Sequence, residues 1–302
     1  MTDSTAALAR SITWAGSKQA YYTARLMVDR DLRDDFARAY AYLRWADDVI
    51  DVTARSKDER VSFSQRQMHL IDRLYRKERL SNLGAEEEML AALIGNDRGA
   101  DSGLQSFIRN MMAIIEFDAH RKGRFITEQE LDWYTERVAN SVTDGLQYFI
   151  GHSHAQPIGQ DRLLAVKACH ISHLLRDMLP DVAEGFINIP REYLGSHKIG
   201  AEDTRTPPFR AWVCDRVKLA RHYFAAGKRY FDRADVLRVK TAVNWYCARF
   251  EGVLDAIERD GFILRERYSE RRKLPALLKI VRLGISLSVR HVSRPLVRAF
   301  EP

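Results

Sequence analysis

Two short stretches of this 302-residue chain set carboxylates at a spacing suited to chemistry. The first is Arg44-Trp-Ala-Asp47-Asp48-Val-Ile-Asp51. On a helix, Asp47 and Asp51 stand at i and i+4 on one face, with Arg44 one turn earlier. Like charges at that spacing repel by a few tenths of a kcal/mol, so the pattern asks for a compensating cation. The second stretch is Arg176-Asp177-Met-Leu-Pro-Asp181, the same Asp-x-x-x-Asp spacing beside an arginine. Carboxylate oxygens are hard ligands suited to Mg²⁺, which takes one or two of them and shares itself with a substrate phosphate. Two such motifs on facing helices would gather Mg²⁺ ions able to clamp a diphosphate. One motif alone reads as a solvated helix face. Two, each set in apolar helical sequence and each beside an arginine, read as a site.

The elements that must position these residues are helices. Leu104, Phe107, Ile108, Met111, Met112 and Ile115 follow i, i+3, i+4, i+7, i+8, i+11, one buried helical stripe. Phe36, Tyr40, Leu43 and Ile50 form a second stripe running through the first aspartate motif, and Leu131, Tyr134, Val138 and Val142 a third. The third is opened by Thr127 with Glu130 three residues on, a capping-box spacing. Only Phe186–Ile189 leans toward a strand, and Pro190 ends it. Pro180, between the aspartates of the second motif, predicts a kink or an end to its helix. Breaks fall at 95–103, 154–161 and 195–208, none long enough to be a free linker. The expectation is an all-α fold, a single domain over 1–302. Its last part, 271–302, forms a basic amphipathic tail, with eight basic and no acidic residues between Arg271 and Arg298. Such a segment either touches an anionic membrane surface or docks on the body with a solvated basic face.

Composition narrows the class. Apolar residues at 46% and charged residues at 29% exclude disordered and low-complexity chains. The 48 basic minus 41 acidic residues give +7, too mild for nucleic-acid binding in the absence of a motif. Cys169, Cys214 and Cys247 are odd in number and far apart, which suits thiols in a reducing compartment. With no secretory signal and no spanning run, the expected location is cytoplasmic, with peripheral contact at the inner membrane face through the tail.

At this point the chain resembles the squalene/phytoene synthase family of isoprenyl diphosphate synthases, over about residues 15 to 275. The resemblance rests on Ser17-Lys18, on Tyr40 and Arg44 leading into Asp47-Asp48-Val-Ile-Asp51, and on Glu130-Leu-Asp-Trp-Tyr134. It continues through Leu174-Leu-Arg-Asp177-Met-Leu-Pro-Asp181, Ile189-Pro-Arg-Glu-Tyr-Leu194 and Leu264-Arg-Glu-Arg267. It implies an isoprenoid synthase fold, a helical bundle around a central apolar cavity. It also implies Mg²⁺ held by Asp47, Asp48, Asp51, Asp177 and Asp181, and an allylic isoprenyl diphosphate as substrate. Ser17, Lys18, Arg44, Arg176 and Arg267 would bind diphosphate oxygens. The physics is coherent: diphosphate leaves once its charge is neutralised, and the allylic cation left behind needs a dry, aromatic surround. Tyr21, Tyr22, Phe117, Tyr148, Phe149, Tyr246 and Phe250 are candidates for that surround, each also readable as plain core.

The chain departs from the family before and after the second motif. His170 and His173 stand where Gln and Asn are usual, Phe186 where an Arg is usual, and Gly16 where a His precedes Ser-Lys. His170, His173 and Asp177 would share a helix face, with His152 and His154 nearby, yet no third His or Cys completes a zinc spacing. An acid–base or hydrogen-bonding role near the reacting groups suits these histidines better. Fewer polar groups for a second diphosphate favour prenyl transfer to a non-isoprenoid acceptor, such as an aromatic small molecule, with C–C bond formation. The alternative is head-to-head condensation of two isoprenyl diphosphates. A catalytically dead scaffold relative is disfavoured because all five motif aspartates are present.

Overall fold

The computed structural model describes residues 2–97, 99, 101–151 and 159–268. The tail at 271–302, together with His152 and His154, lies outside the described residues. Eleven α-helices carry almost all of what is described: α1 Thr2–Gly16, α2 Lys18–Leu26, α3 Arg33–Asp48, α4 Lys57–Tyr75, α5 Ala85–Gly95, α6 Gly103–Arg121, α7 Glu128–Phe149, α8 Leu164–Ala183, α9 Arg191–His197, α10 Pro207–Asp232 and α11 Leu237–Arg259. Two short strands, β1 Arg124–Ile126 and β2 Phe186–Pro190, pair in parallel, with Phe125 opposite Ile187. The all-α expectation holds, and so does the strand-leaning run at Phe186.

The chain divides into two compact units, one of 1–122 with 140–153 and one of 123–139 with 154–302. In the first unit, small residues let helices approach closely: Ala9 of α1, Ala37 and Ala41 of α3 and Met89 of α5 form one buried cluster. The predicted stripe of α6 is buried there through Leu104, Ile108, Met112 and Ile115. Two buried polar links reinforce the packing. Tyr42 Oη donates to Gln67 Oε1 at 3.1 Å, and Gln67 Nε2 donates to Glu87 Oε1 at 2.7 Å. Each satisfied donor spares the cost of burying an unpaired polar group.

In the second unit, α8 packs on α10 and α11. The α8–α10 approach depends on Gly227, where an added Cβ would stand 2.3 Å from the backbone nitrogen of Ala165. The capping box read from sequence is present: Thr127 Oγ1 accepts from Glu130 N at 3.1 Å, and Glu130 Oε2 accepts from Thr127 N at 2.8 Å. Arg124 adds a fork onto the Glu130 carboxylate, which with these bonds holds it down to about 2. Strand β1 is thereby tied to the start of α7. Pro180 does not end its helix. It sits in the last turn, and α8 runs on to Ala183, because a proline near the C-terminal end removes one helical bond and leaves the rest of the ladder intact.

Candidate active site

The first aspartate motif closes α3. The helix carries Arg44, Asp47 and Asp48, then widens into a single π turn, Val49–Thr53, closed by Ala54 N donating to Val49 O at 2.9 Å. Asp51 lies in this widened turn, and its charge still bears on Asp47. The turn buries Ile50 and turns Val52 out to solvent. One-residue widenings of this kind recur at functional sites. Arg44 forks onto Asp48, Nε to Oδ2 at 3.0 Å and Nη2 to Oδ1 at 2.5 Å, and stands 3.9 Å from Asp47.

Two residues that sequence reasoning passed over meet this motif. Lys122, after α6, donates from Nζ to the main-chain carbonyl of Asp51 at 3.0 Å. Asp118, in the last turn of α6, adds its charge to that of Asp51 beside Asp47. Burial, then Asp51, then Asp118 push the Asp47 carboxyl up to about 7, against the pull of Arg44. Asp118 is itself paired with Arg121 Nε at 2.5 Å, and the Arg121 guanidinium lies over Phe117. A signal for both was present. Met111, Ile115, Asp118 and Lys122 are i, i+4, i+7 and i+11, so the apolar stripe of α6 ends in two charges on its inward row.

Ser17 and Lys18 lie in the same unit, at the junction of α1 and α2. Ser17 Oγ caps α2 by accepting from Ala20 N at 3.1 Å. Lys18 Nζ sits over the Trp14 ring at 5.6 Å, beside Tyr21 and Tyr22. A Cβ at Gly16 would meet Tyr40 Oη at 3.0 Å, so the α1–α2 junction abuts α3 one turn ahead of Arg44.

The second motif lies on α8. Arg176 forks onto Asp177, Nε to Oδ1 at 2.6 Å and Nη2 to Oδ2, and His173 Nε2 lies 2.8 Å from the same Oδ2. Burial works to raise the Asp177 carboxyl, but these two partners outweigh it and hold the group well below the usual carboxylate range. Asn188, buried on β2, donates from Nδ2 to Asp181 Oδ2 at 3.0 Å. Behind this face, Phe250 lies 5.8 Å from the Arg176 guanidinium, 6.1 Å from the His173 ring and 5.1 Å from Tyr246.

His170 departs from the predicted shared face. It is buried, with its ring 5.1 Å from Tyr134 of α7, while His173 is exposed at the carboxylates. Arg267 is exposed in the segment after α11. Among the aromatic candidates, Phe149 is core, packed edge-on against Phe36 and Phe107. Cys169 and Cys247 are buried and Cys214 half-buried, all three as free thiols. Among the described residues, no three His, Cys, Asp or Glu side chains converge into a ligand set, and no helix is long and apolar enough to cross a membrane.

A sequence profile described as squalene/phytoene synthase matches residues 15–277. The chain belongs to the squalene/phytoene synthase family. It is accordingly a prenyltransferase of isoprenoid biosynthesis. A relative from Rhodopseudomonas palustris, named presqualene diphosphate synthase, is 27% identical over 233 residues, 71% of this chain and 75% of that protein. Two solved structures share the fold at a TM-score of 0.69. One is a squalene synthase from Alicyclobacillus acidocaldarius, 21% identical, covering 87% of this chain and 97% of its own. The other is a dehydrosqualene synthase solved with a ligand, 17% identical, covering 97% and 98%. The isoprenoid synthase fold expected from the resemblance is therefore the fold of this family member.

Proposed function

We propose that this enzyme joins two isoprenyl diphosphates head to head. The observation that carries this reading is the family match over residues 15–277, supported by the relative named presqualene diphosphate synthase. It replaces the non-isoprenoid acceptor that the sequence departures favoured. That preference assumed that His173 and the Phe186 region left the second motif short of polar groups. His173 hydrogen-bonds Asp177, and Asn188 hydrogen-bonds Asp181, so the second motif keeps polar contacts, one from the substituted position itself and one from β2.

In this reading the C–O bond of the donor breaks and its diphosphate leaves. The double bond of the acceptor attacks the allylic cation to form a C–C bond, and a proton is lost. Asp47, Asp48 and Asp51 in the first unit, and Asp177 and Asp181 in the second, are the residues that would hold Mg²⁺. Their hard oxygens suit that ion, and the raised Asp47 carboxyl marks negative charge in excess of its cations. When bound, the metal supplies charge neutralisation of the leaving diphosphate. Lys18, Arg44, Arg176 and Arg267 are assigned to diphosphate oxygens; Arg44 and Arg176 fork onto Asp48 and Asp177 in the substrate-free chain, so they would take diphosphate oxygens by exchanging those partners. The faces of Tyr246 and Phe250 offer a developing cation an apolar, polarisable surround.

Incubating the full chain with Mg²⁺ and farnesyl or geranylgeranyl diphosphate tests the reading. A C30 or C40 diphosphate or hydrocarbon is the expected product. Diphosphate release that occurs only with an added aromatic acceptor, giving a prenylated arene, would overturn it.

A further inference from the structure

The two aspartate motifs are not equivalent. Both oxygens of Asp177 carry a donor, Arg176 at each and His173 Nε2 at Oδ2. A carboxylate oxygen has no proton to give, so a nitrogen at 2.8 Å from it is a donor, and His173 contributes an N–H there. Asp181 is tied by Asn188 from the neighbouring strand. At the first motif, Arg44 is spent on Asp48, stays 3.9 Å from Asp47, and leaves Asp51 and Asp118 pressing on that residue. Mg²⁺ and Mn²⁺ bind by exchanging water for carboxylate oxygens. At Asp177 they must also displace a guanidinium fork and an imidazole, whereas at Asp47 they relieve a repulsion.

We propose that His173, with Arg176, closes the second aspartate motif to divalent metal in the substrate-free protein, so that metal loads at the first motif alone. This rests on the reading of the motifs as metal ligands given above. His173 acts through Asp177 and is a positioning residue. Its side chain is half exposed, so its replacement leaves the core untouched.

The test counts Mn²⁺ bound to the full chain, without substrate, by the electron paramagnetic resonance signal of the free ion. Wild type is expected to bind Mn²⁺ in one class of site. Asp47→Asn should weaken this binding about tenfold or more, and Asp177→Asn should leave it within about twofold. His173→Asn should admit one further Mn²⁺ equivalent, which adding Asp177→Asn removes. A loss in Asp177→Asn equal to that in Asp47→Asn overturns the inequality while leaving the metal reading intact. Unchanged stoichiometry in His173→Asn overturns the role of the imidazole. Binding indifferent to Asp47→Asn overturns the underlying metal reading and the inference with it.

Discussion

Metal binding at the first motif should displace a proton from Asp47, and the size of that exchange follows from its surroundings. With the carboxyl at about 7 in the metal-free protein, Asp47 is about 90% protonated at pH 6 and about 10% at pH 8. The ligand is the carboxylate, so apparent Mg²⁺ affinity should rise about tenfold over those two pH units, and binding at pH 6 should release close to one proton. The linkage has a definite sign. A carboxyl raised above its unfolded value of about 3.9 favours the protonated folded state, so this stabilisation fades as pH climbs through about 7. The metal-free protein should therefore lose thermal stability between pH 6 and pH 8, and Mg²⁺ should restore more of it at pH 8. Titration calorimetry in two buffers of different ionisation enthalpy reads the proton count, and thermal melts read the stability. The solvent-facing half of the side chain screens the effect but leaves its direction unaltered. Affinity that is flat from pH 6 to 8, or a pH dependence surviving in Asp47→Asn, would refute the account of the charge crowding.

Three further outcomes follow from other parts of the molecule. Asp118→Asn removes one negative charge from beside Asp47, so the midpoint of the Mg²⁺ affinity profile should move to lower pH; an unmoved midpoint would mean that Asp118 serves Arg121 alone. Gly227→Ala drives a methyl against the Ala165 backbone and should cost about 3 kcal/mol in denaturant unfolding, the upper range for overpacking, whereas a loss under about 1 kcal/mol would mean that α8 and α10 part easily. Truncation after Leu274 removes five of the eight basic tail residues, so any low-salt binding to anionic vesicles that the full chain shows should be abolished with solution activity spared, both read on the same preparation; aggregation of the truncated protein would instead mark the tail as part of the packed body.

What the sequence carried clearly was local. The Thr127–Glu130 box needs only four residues to close, and the stripe of α6 needs only the period of one helix, so both are visible without any tertiary knowledge. The aspartate motifs were legible for the same reason. The π turn was not: four of its five residues, Val49, Ile50, Val52 and Thr53, are β-branched and lower helix propensity, which does not by itself specify a widened turn. The turn buries Ile50, and Lys122, 71 residues further along the chain, reaches the Asp51 carbonyl. Pro180 marked the end of its helix to within one turn: its cost depends on how many turns follow it, and α8 has almost none left.

The harder lesson lies in the residues around the second motif. Set against a family pattern, His173 and Phe186 read as polar groups lost, and a lost polar group argues for a different acceptor. That inference treats a residue type as if it were a place. A carboxylate is satisfied by any donor at about 2.8 Å, whichever position supplies it. At Asp177 an imidazole fills that role one turn earlier on the same helix, and at Asp181 an amide reaches across from β2. Asn188 could not be paired with Asp181 from sequence, because the strand that aims it exists only through its register with Arg124–Ile126. A substitution pattern therefore speaks to chemistry only once the donors around each carboxylate are placed in space. Placed so, Asp177 carries three donor contacts, while Asp47 stands 3.9 Å from Arg44.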